Sequence, residues 1–300
     1  IYAYYEFSIL GDPVIFYSSL LIVLALIISF VQRGSATSRS AKVSGTPKVP
    51  KKIKLERGGK MLTYGFLGFV IMLGLIIPIS VLSFWLLRGI YYGNDVSSSL
   101  PGIFGSFSAA IVTSIFAIII SMPIVILISQ YKSKFGDIIE KLMLSLYGLP
   151  HIAVGVSILF ISVKIFPSIY QSFFALVVSY LIVFIPQAIG GGQASMEQVK
   201  SSYIEASLGL GLSKIETFQK ITFPLIYRGL FAGGALVFLS TMKELPQTLL
   251  LRPTEFSTMA VDVWSFASEA LFTQAAFSAF ILLAISAIPT YILSTRNLTV

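Results

Sequence analysis

Seven apolar stretches, each long enough to cross a lipid bilayer as a helix, dominate this sequence. A helix of about 20 residues crosses the roughly 30 Å hydrocarbon core of a membrane. Hydrophobic residues make up 56% of the 300 residues and charged residues 11%, against about 25% charged in an average globular chain. The sequence therefore predicts an all-α membrane protein with about seven transmembrane helices, at 13–31, 62–87, 103–128, 142–163, 172–193, 224–244 and 274–294.

A basic, polar segment separates the first apolar stretch from the other six. Residues 32–60 contain nine Lys and Arg residues against Glu56 alone, which equals the whole net charge of +8. Between two apolar segments this pattern indicates a flexible cytoplasmic loop rather than a nucleic-acid site. We therefore expect a lone transmembrane helix within 1–31, a basic cytoplasmic linker over 32–60 and a six-helix domain over 61–300.

The distribution of positive charge also predicts the topology. With the linker inside, 17 of the 21 Lys and Arg residues fall on the cytoplasmic side, where positively charged loops are retained. The four on the other side are Arg88, Lys164, Lys243 and Arg252. The N-terminus of this chain is therefore expected outside and its C-terminus in the cytoplasm.

Enzyme signatures are missing from the sequence. There is no cysteine and one histidine, His151, which argues against thiolate or histidine metal sites and against catalytic triads. Two short glycine motifs near Gly59 and Gly209 are incomplete as nucleotide-binding loops. We expect no catalytic residue, no metal site, no cofactor and no ATPase site in this chain, and we interpret His151 as a packing residue.

The segment over 196–224 does not resemble a linker, although it lies between two predicted spans on the cytoplasmic side. Ser202 is expected to cap a short helix over 203–208, and Gly209 and Gly211 then permit a turn. Ser213 and Glu216 form an S-x-x-E capping box that opens a second helix. The apolar face of that helix is expected at Ile215, Phe218 and Ile221, and Pro224 suits the first turn of the next span. The segment is either an amphipathic connector or a rigid docking element for a cytoplasmic partner.

This segment resembles the EAA loop of bacterial ABC-importer permeases, whose pattern is E-A-A-x3-G-x9-I-x-L-P. Ser207 replaces the second Ala of the pattern, and Phe223 replaces its Leu. The resemblance implies a role in coupling to an ATPase for Glu205, Ala206, Ser207, Gly211, Ile221 and Pro224.

A second resemblance narrows the family. The stretch 242–253, MKELPQTLLLRP, is similar to the KELPATLLLRP segment of ferric-iron ABC permeases, and the AVDVW and ASE runs at 260–264 and 267–269 are similar to the same family. Those permeases are often two units fused in one chain. The lone helix and basic linker then look like the end of a first unit, so the chain is expected to be the C-terminal part of such a protein.

The resemblances imply the permease component of an ATP-driven importer in the bacterial inner membrane, with ferric iron as cargo. The implied partners are a dimer of ABC ATPase subunits, a substrate-binding protein, a second permease unit and the lipid bilayer. Three alternatives stay open: an ABC permease for thiamine, phosphonate or another small anion, an ion-coupled secondary transporter and an intramembrane enzyme. The last lacks a catalytic constellation, and no ionisable group is evident near mid-membrane to favour the secondary transporter.

Three charged residues near the end of the sixth span are candidates for an outer gate or a binding-protein contact. Pro224 to Glu244 covers 21 residues, about 31 Å of helix, which predicts that Lys243 and Glu244 lie near the outer boundary, followed by Arg252. Pro246 disfavours helix at Leu245. The alternative is that these side chains only extend to the membrane surface.

Overall fold

The computed structural model of this chain describes residues 56–130 and 134–296, together with a few positions between 16 and 27. At residue 144 and residues 292–296 the description is limited to the backbone. Most of the predicted lone helix over 13–31 and of the predicted linker over 32–60 lies outside the described residues, so both stay predictions.

Every regular element in the described part of the chain is helical, as the sequence predicts. Five helices are long and apolar enough to cross a membrane, and they match the predicted spans at 62–87, 103–128, 172–193, 224–244 and 274–294. We name them α1 (Arg57–Tyr91), α2 (Leu100–Gln130), α5 (Phe173–Met196), α7 (Lys214–Met242) and α10 (Phe272–Arg296).

The predicted span over 142–163 is wrong, because two shorter helices replace it. α3 covers Lys134–Leu146 and α4 covers His151–Lys164. α4 has 14 residues, about 21 Å of helix, which is less than the bilayer core. The break falls at Pro150, whose backbone is extended; proline lacks an N–H and disfavours helix in the residue before it. The sequence stays apolar on both sides of this break, so hydropathy alone does not predict the break.

Helix α5 lies at the centre of the bundle, between α2 and α7. Its Tyr180 and Leu176 are completely buried, as are Ile226 and Leu230 of α7 at 1% exposure or less. α5 and α7 approach closely at Gly191, where an added Cβ would lie 2.5 Å from the Gly229 carbonyl oxygen. Gly191 and Gly229 thus allow α5 and α7 to pack closely, as small residues commonly do between membrane helices.

The chain does not leave the bundle after α7. A short helix, α8 (Pro246–Leu251), follows the non-helical residue Leu245 and packs on α4 and α5. Helix α9 (Met259–Ser268) then packs on α10 and α2. Leu250 and Leu251 are buried, so the apolar run after Lys243 is enclosed by protein, as membrane depth requires.

Helix α1 exposes its apolar side chains along most of its length and contacts α10 through its second half. Apolar side chains can stay exposed along this helix of 35 residues because they contact lipid rather than water.

Candidate functional site

Helix α6 (Ser201–Gly209) is the first element of the predicted docking loop. The prediction that Ser202 caps it is wrong: the cap position is Lys200, whose side chain makes no capping bond. Because the helix begins two residues earlier than expected, Ser202 lies inside its first turn. Glu205 and Ala206 are exposed on this helix, whereas Ser207 is buried.

The turn after α6 depends on Gly211, which has φ +88°. Its N–H donates to the Leu208 carbonyl oxygen at 3.0 Å, and the Leu212 N–H donates to the Ser207 carbonyl oxygen at 3.2 Å. This pair of bonds is the Schellman motif, which ends a helix with a left-handed residue. The sequence predicts that turn correctly. An added Cβ at Gly211 would meet nothing within 4 Å, so its backbone angle alone demands glycine.

The predicted capping box at the start of α7 is confirmed. The Glu216 N–H donates to Ser213 Oγ at 3.2 Å, and the Ser213 N–H donates to Glu216 Oε2 at 2.9 Å. Of the apolar face expected at Ile215, Phe218 and Ile221, Ile215 is 69% exposed and the other two are partly buried. A π turn over Phe218–Thr222 inserts an extra residue into the helix and moves Thr217 and Thr222 to the buried side.

Two buried hydroxyl groups join α6 to the start of α7. Ser207 Oγ lies 3.0 Å from Thr217 Oγ1 and 2.7 Å from the Ile204 carbonyl oxygen. The alanine of the EAA pattern could not make this bond. The substitution that departs from the family pattern therefore adds a connection between the two halves of the loop.

A groove of about 440 Å³ runs between α6 and α7. Four of the six predicted coupling residues line it, whereas Glu205 lies outside its lining and Gly211 shapes the adjacent turn. The remaining lining is mostly apolar, and Leu210 in it is 85% exposed. The groove is lined by Tyr203, Ala206, Ser207, Leu210, Leu212, Lys220, Ile221, Pro224 and Leu225.

The three predicted gate residues do not form one cluster. Lys243 ends α7 and is exposed, Glu244 is 5% exposed, and Arg252 Nη1 donates to the Phe256 carbonyl oxygen at 3.1 Å. The position of Glu244 near the outer boundary stays a prediction. Its carboxylate contacts His151, the first residue of α4, because the chain turns after α7 into α8, which packs on α4 and α5.

The Glu244 carboxylate belongs to a set of buried polar side chains that we call the polar cluster. Glu244 Oε2 lies 2.7 Å from His151 Nδ1, and Glu244 Oε1 accepts from the Gln247 N–H at 3.3 Å. Thr248 Oγ1 donates to the Glu244 carbonyl oxygen and lies 2.6 Å from Tyr180 Oη. The members of the polar cluster are His151, Tyr180, Glu244, Gln247 and Thr248.

Sequence reasoning missed this cluster. The interpretation of His151 as a packing residue holds in part, because its ring packs edge-on against Phe184 with ring centroids 5.4 Å apart. Its Nδ1 also contacts the buried Glu244 carboxylate, which the sequence does not predict. The available signal was the only histidine of the sequence and a glutamate at the end of an apolar stretch, 93 residues apart.

Comparisons with known proteins identify the class of this chain. Residues 106–297 match the family described as binding-protein-dependent transport system inner membrane component. The match covers more than half of the chain, so the chain belongs to this family, and its several long apolar helices agree with a multi-pass membrane protein. The prediction from the EAA loop is thereby confirmed at the level of the family.

Two relatives show how far cargo varies within the family. The chain is 28% identical over 299 residues to the Fe(3+)-transport system permease protein FbpB 2 of Haemophilus influenzae, covering 98% of this chain and 59% of that protein. It is also 28% identical over 149 residues to the molybdate/tungstate permease WtpB of Methanocaldococcus jannaschii, covering 48% of this chain and 60% of that protein. The chain thus spans about three fifths of each relative.

A solved structure supports the fold. The MetNI methionine ABC transporter, in an inward-facing conformation, superimposes with a TM-score of 0.52 at 14% identity, over 65% of this chain and 94% of the matched chain. At this level of identity the comparison bears on the fold alone.

Proposed function

We propose that this chain is the ferric-iron permease component of an ABC importer. The observation that carries the proposal is the similarity to a ferric-iron permease over nearly the whole chain, together with the segment at 242–253 that is similar to that branch. The relative that carries molybdate or tungstate matches about half of the chain, which makes those anions the appropriate competitors in a test.

The coupling loop, residues 196–224, docks the ATPase subunits in this proposal. Its apolar groove accepts a protruding apolar element of the partner, and Glu205 beside the groove meets a polar or basic group. The Schellman turn at Gly211, the capping box at Ser213 and the Ser207–Thr217 contact give the loop a fixed shape. A loop of fixed shape moves as a rigid body and transmits closure of the ATPase to the spans.

Hydrolysis takes place on the separate ATPase subunits, and this chain supplies no nucleotide site. A binding protein delivers the cargo to the outer face, where α9 and the loop around Arg252 are exposed in part. A second permease unit completes the pathway, and in a fused protein it precedes the basic linker. The N-terminus of this chain lies outside and its C-terminus in the cytoplasm.

Uptake measurements test the cargo. Cells that express the full-length protein with its ATPase and its binding protein should accumulate radioactive ferric iron, and excess molybdate or tungstate should leave the rate unchanged. The same cells with an ATPase that cannot hydrolyse ATP should accumulate none above background. Uptake of radioactive molybdate with no uptake of iron would assign the chain to an anion transporter instead.

A further inference from the structure

The ion pair between His151 and Glu244 is enclosed on one side only. The Glu244 side chain is 5% exposed, whereas that of His151 is 41% exposed. Ionisable groups of membrane-spanning bundles almost always face a water-filled cavity or the bundle interior. By this rule, the open side of His151 is expected to face water or another subunit rather than lipid.

Polar groups continue from this pair along α5. Tyr180 Oη lies 2.6 Å from Thr248 Oγ1, and Ser240 Oγ donates to Gln187 Oε1 at 2.9 Å. Tyr180 and Gln187 are seven residues apart on α5 and therefore share one face, with about 10 Å between them. We call the three contacts Tyr180–Thr248, His151–Glu244 and Ser240–Gln187 the polar ladder.

Several buried polar atoms around the ladder have no hydrogen-bond partner among the described residues. They are Ser179 Oγ, Thr241 Oγ1 and Gln247 Oε1, and Ser179 and Gln247 are completely buried. Buried polar atoms are normally paired with protein or with ordered water. These unpaired atoms are hydrogen-bonding groups beside the ladder that water or a ligand could satisfy once the helices move apart.

The exposed position of Lys243 also indicates a polar surface at the end of α7. It is exposed at the end of α7, next to Glu244, and has no acidic partner in the described part of the chain. A lysine ammonium is costly where it meets lipid hydrocarbon. The exposed side of Lys243 is therefore expected to meet water or a second permease unit.

We propose that the polar ladder lines the translocation path and that Glu244 and His151 contact the cargo during passage. The proposal rests on the function proposed above, because it takes a hard metal cation as the cargo, for which a carboxylate oxygen is a preferred ligand. Without cargo, His151 pairs with Glu244 and reduces the cost of burying its charge. An arriving cation takes the place of the imidazole at the carboxylate, and His151 rebinds after the cation has moved on.

Thiol labelling tests whether the ladder faces water. The chain has no cysteine of its own, so Ser240→Cys and, as a control, Ile115→Cys can be made singly in the full-length protein within its complex. Ile115 lies midway along α2 and is 49% exposed. A hydrophilic thiol reagent should modify Ser240→Cys at least tenfold faster than Ile115→Cys. Equal rates would place the ladder against lipid and overturn the proposal.

Paired substitutions test the contact with cargo. In the double variant His151→Gln/Glu244→Gln, two amides can keep a hydrogen bond between α4 and the α7–α8 joint while the charge is removed. We expect this variant to retain its ATPase subunits but to take up ferric iron, delivered by the loaded binding protein, at least tenfold more slowly. Ser80→Ala, which lies outside the ladder and removes a hydroxyl that donates to the Ile77 carbonyl oxygen within α1, should stay within twofold of wild type.

Wild-type uptake by the double variant would show that the pair only braces the helices, which overturns the proposal. Glu244→Asp, which keeps the carboxylate, should transport ferric iron faster than the double variant. If the wild-type protein takes up no ferric iron at all, the proposed cargo fails, and the labelling rates still decide whether the ladder lines an aqueous path.

Discussion

Gly211 is the residue on which the shape of the coupling loop depends. Its φ of +88° lies in the left-handed region, where β-branched residues cost of order 1–3 kcal/mol and where Asn is tolerated. Gly211→Asn should therefore keep the loop and the bound ATPase, whereas Gly211→Val should lose the ATPase. The open space around this glycine excludes a steric clash as the cause. Amounts of ATPase that purify with each variant, per amount of permease, measure this difference; equal amounts for Asn and Val would contradict it.

The sequence predicts contacts between neighbouring residues but not contacts between residues far apart in the chain. The capping box and the glycine turn involve residues at most five positions apart, so local pattern alone predicts them. The pairing of His151 with Glu244 joins residues 93 positions apart and depends on where α8 folds back. Local hydropathy carries no information on that return, so a count of residues from Pro224 cannot predict that Glu244 meets His151.

At the scale of elements, the start of α7 is the part whose stability can be tested most directly. Ser213→Ala removes the side-chain acceptor for the Glu216 N–H, and loss of such a cap costs about 1 kcal/mol. We expect the amides over 214–217 to exchange with deuterium roughly fivefold faster in this variant. Ser213→Asp should retain wild-type protection because Asp is an equally good cap. Unchanged exchange in Ser213→Ala would show that packing, not the cap, holds this turn.

The break between α3 and α4 shows which element boundaries the sequence leaves open. Gly148 and Pro150 interrupt an apolar run, and such residues either kink a membrane helix or end it, depending on the neighbouring helices. Here the helix ends, so that His151 becomes the first residue of α4. Proline does not end the helix at three other positions. Pro123, Pro186 and Pro289 lie inside continuous helices.

At the scale of the whole molecule, the excess of Lys and Arg on one side predicts the orientation in the membrane. The absence of native cysteine permits single cysteines at Ser98, just before α2, and at Ser213, in the coupling loop. An impermeant thiol reagent applied to intact cells should label Ser98→Cys, and Ser213→Cys should react after the cells are opened. Labelling of both positions from the same side would contradict the predicted topology.

The coupling loop is proposed to hold the ATPase subunits, and the transmission of their closure to the spans depends on this contact. Glu205 is exposed beside the groove, so reversing its charge should leave folding intact while it weakens a charged contact typically worth about 2–5 kcal/mol of binding. The decisive measurement is the amount of ATPase that purifies with the full-length protein after mild detergent extraction. Glu205→Lys should insert normally and lose the ATPase, whereas Glu269→Lys, the same reversal at an exposed site after α9, should retain it. Wild-type amounts of ATPase bound to Glu205→Lys would contradict the account.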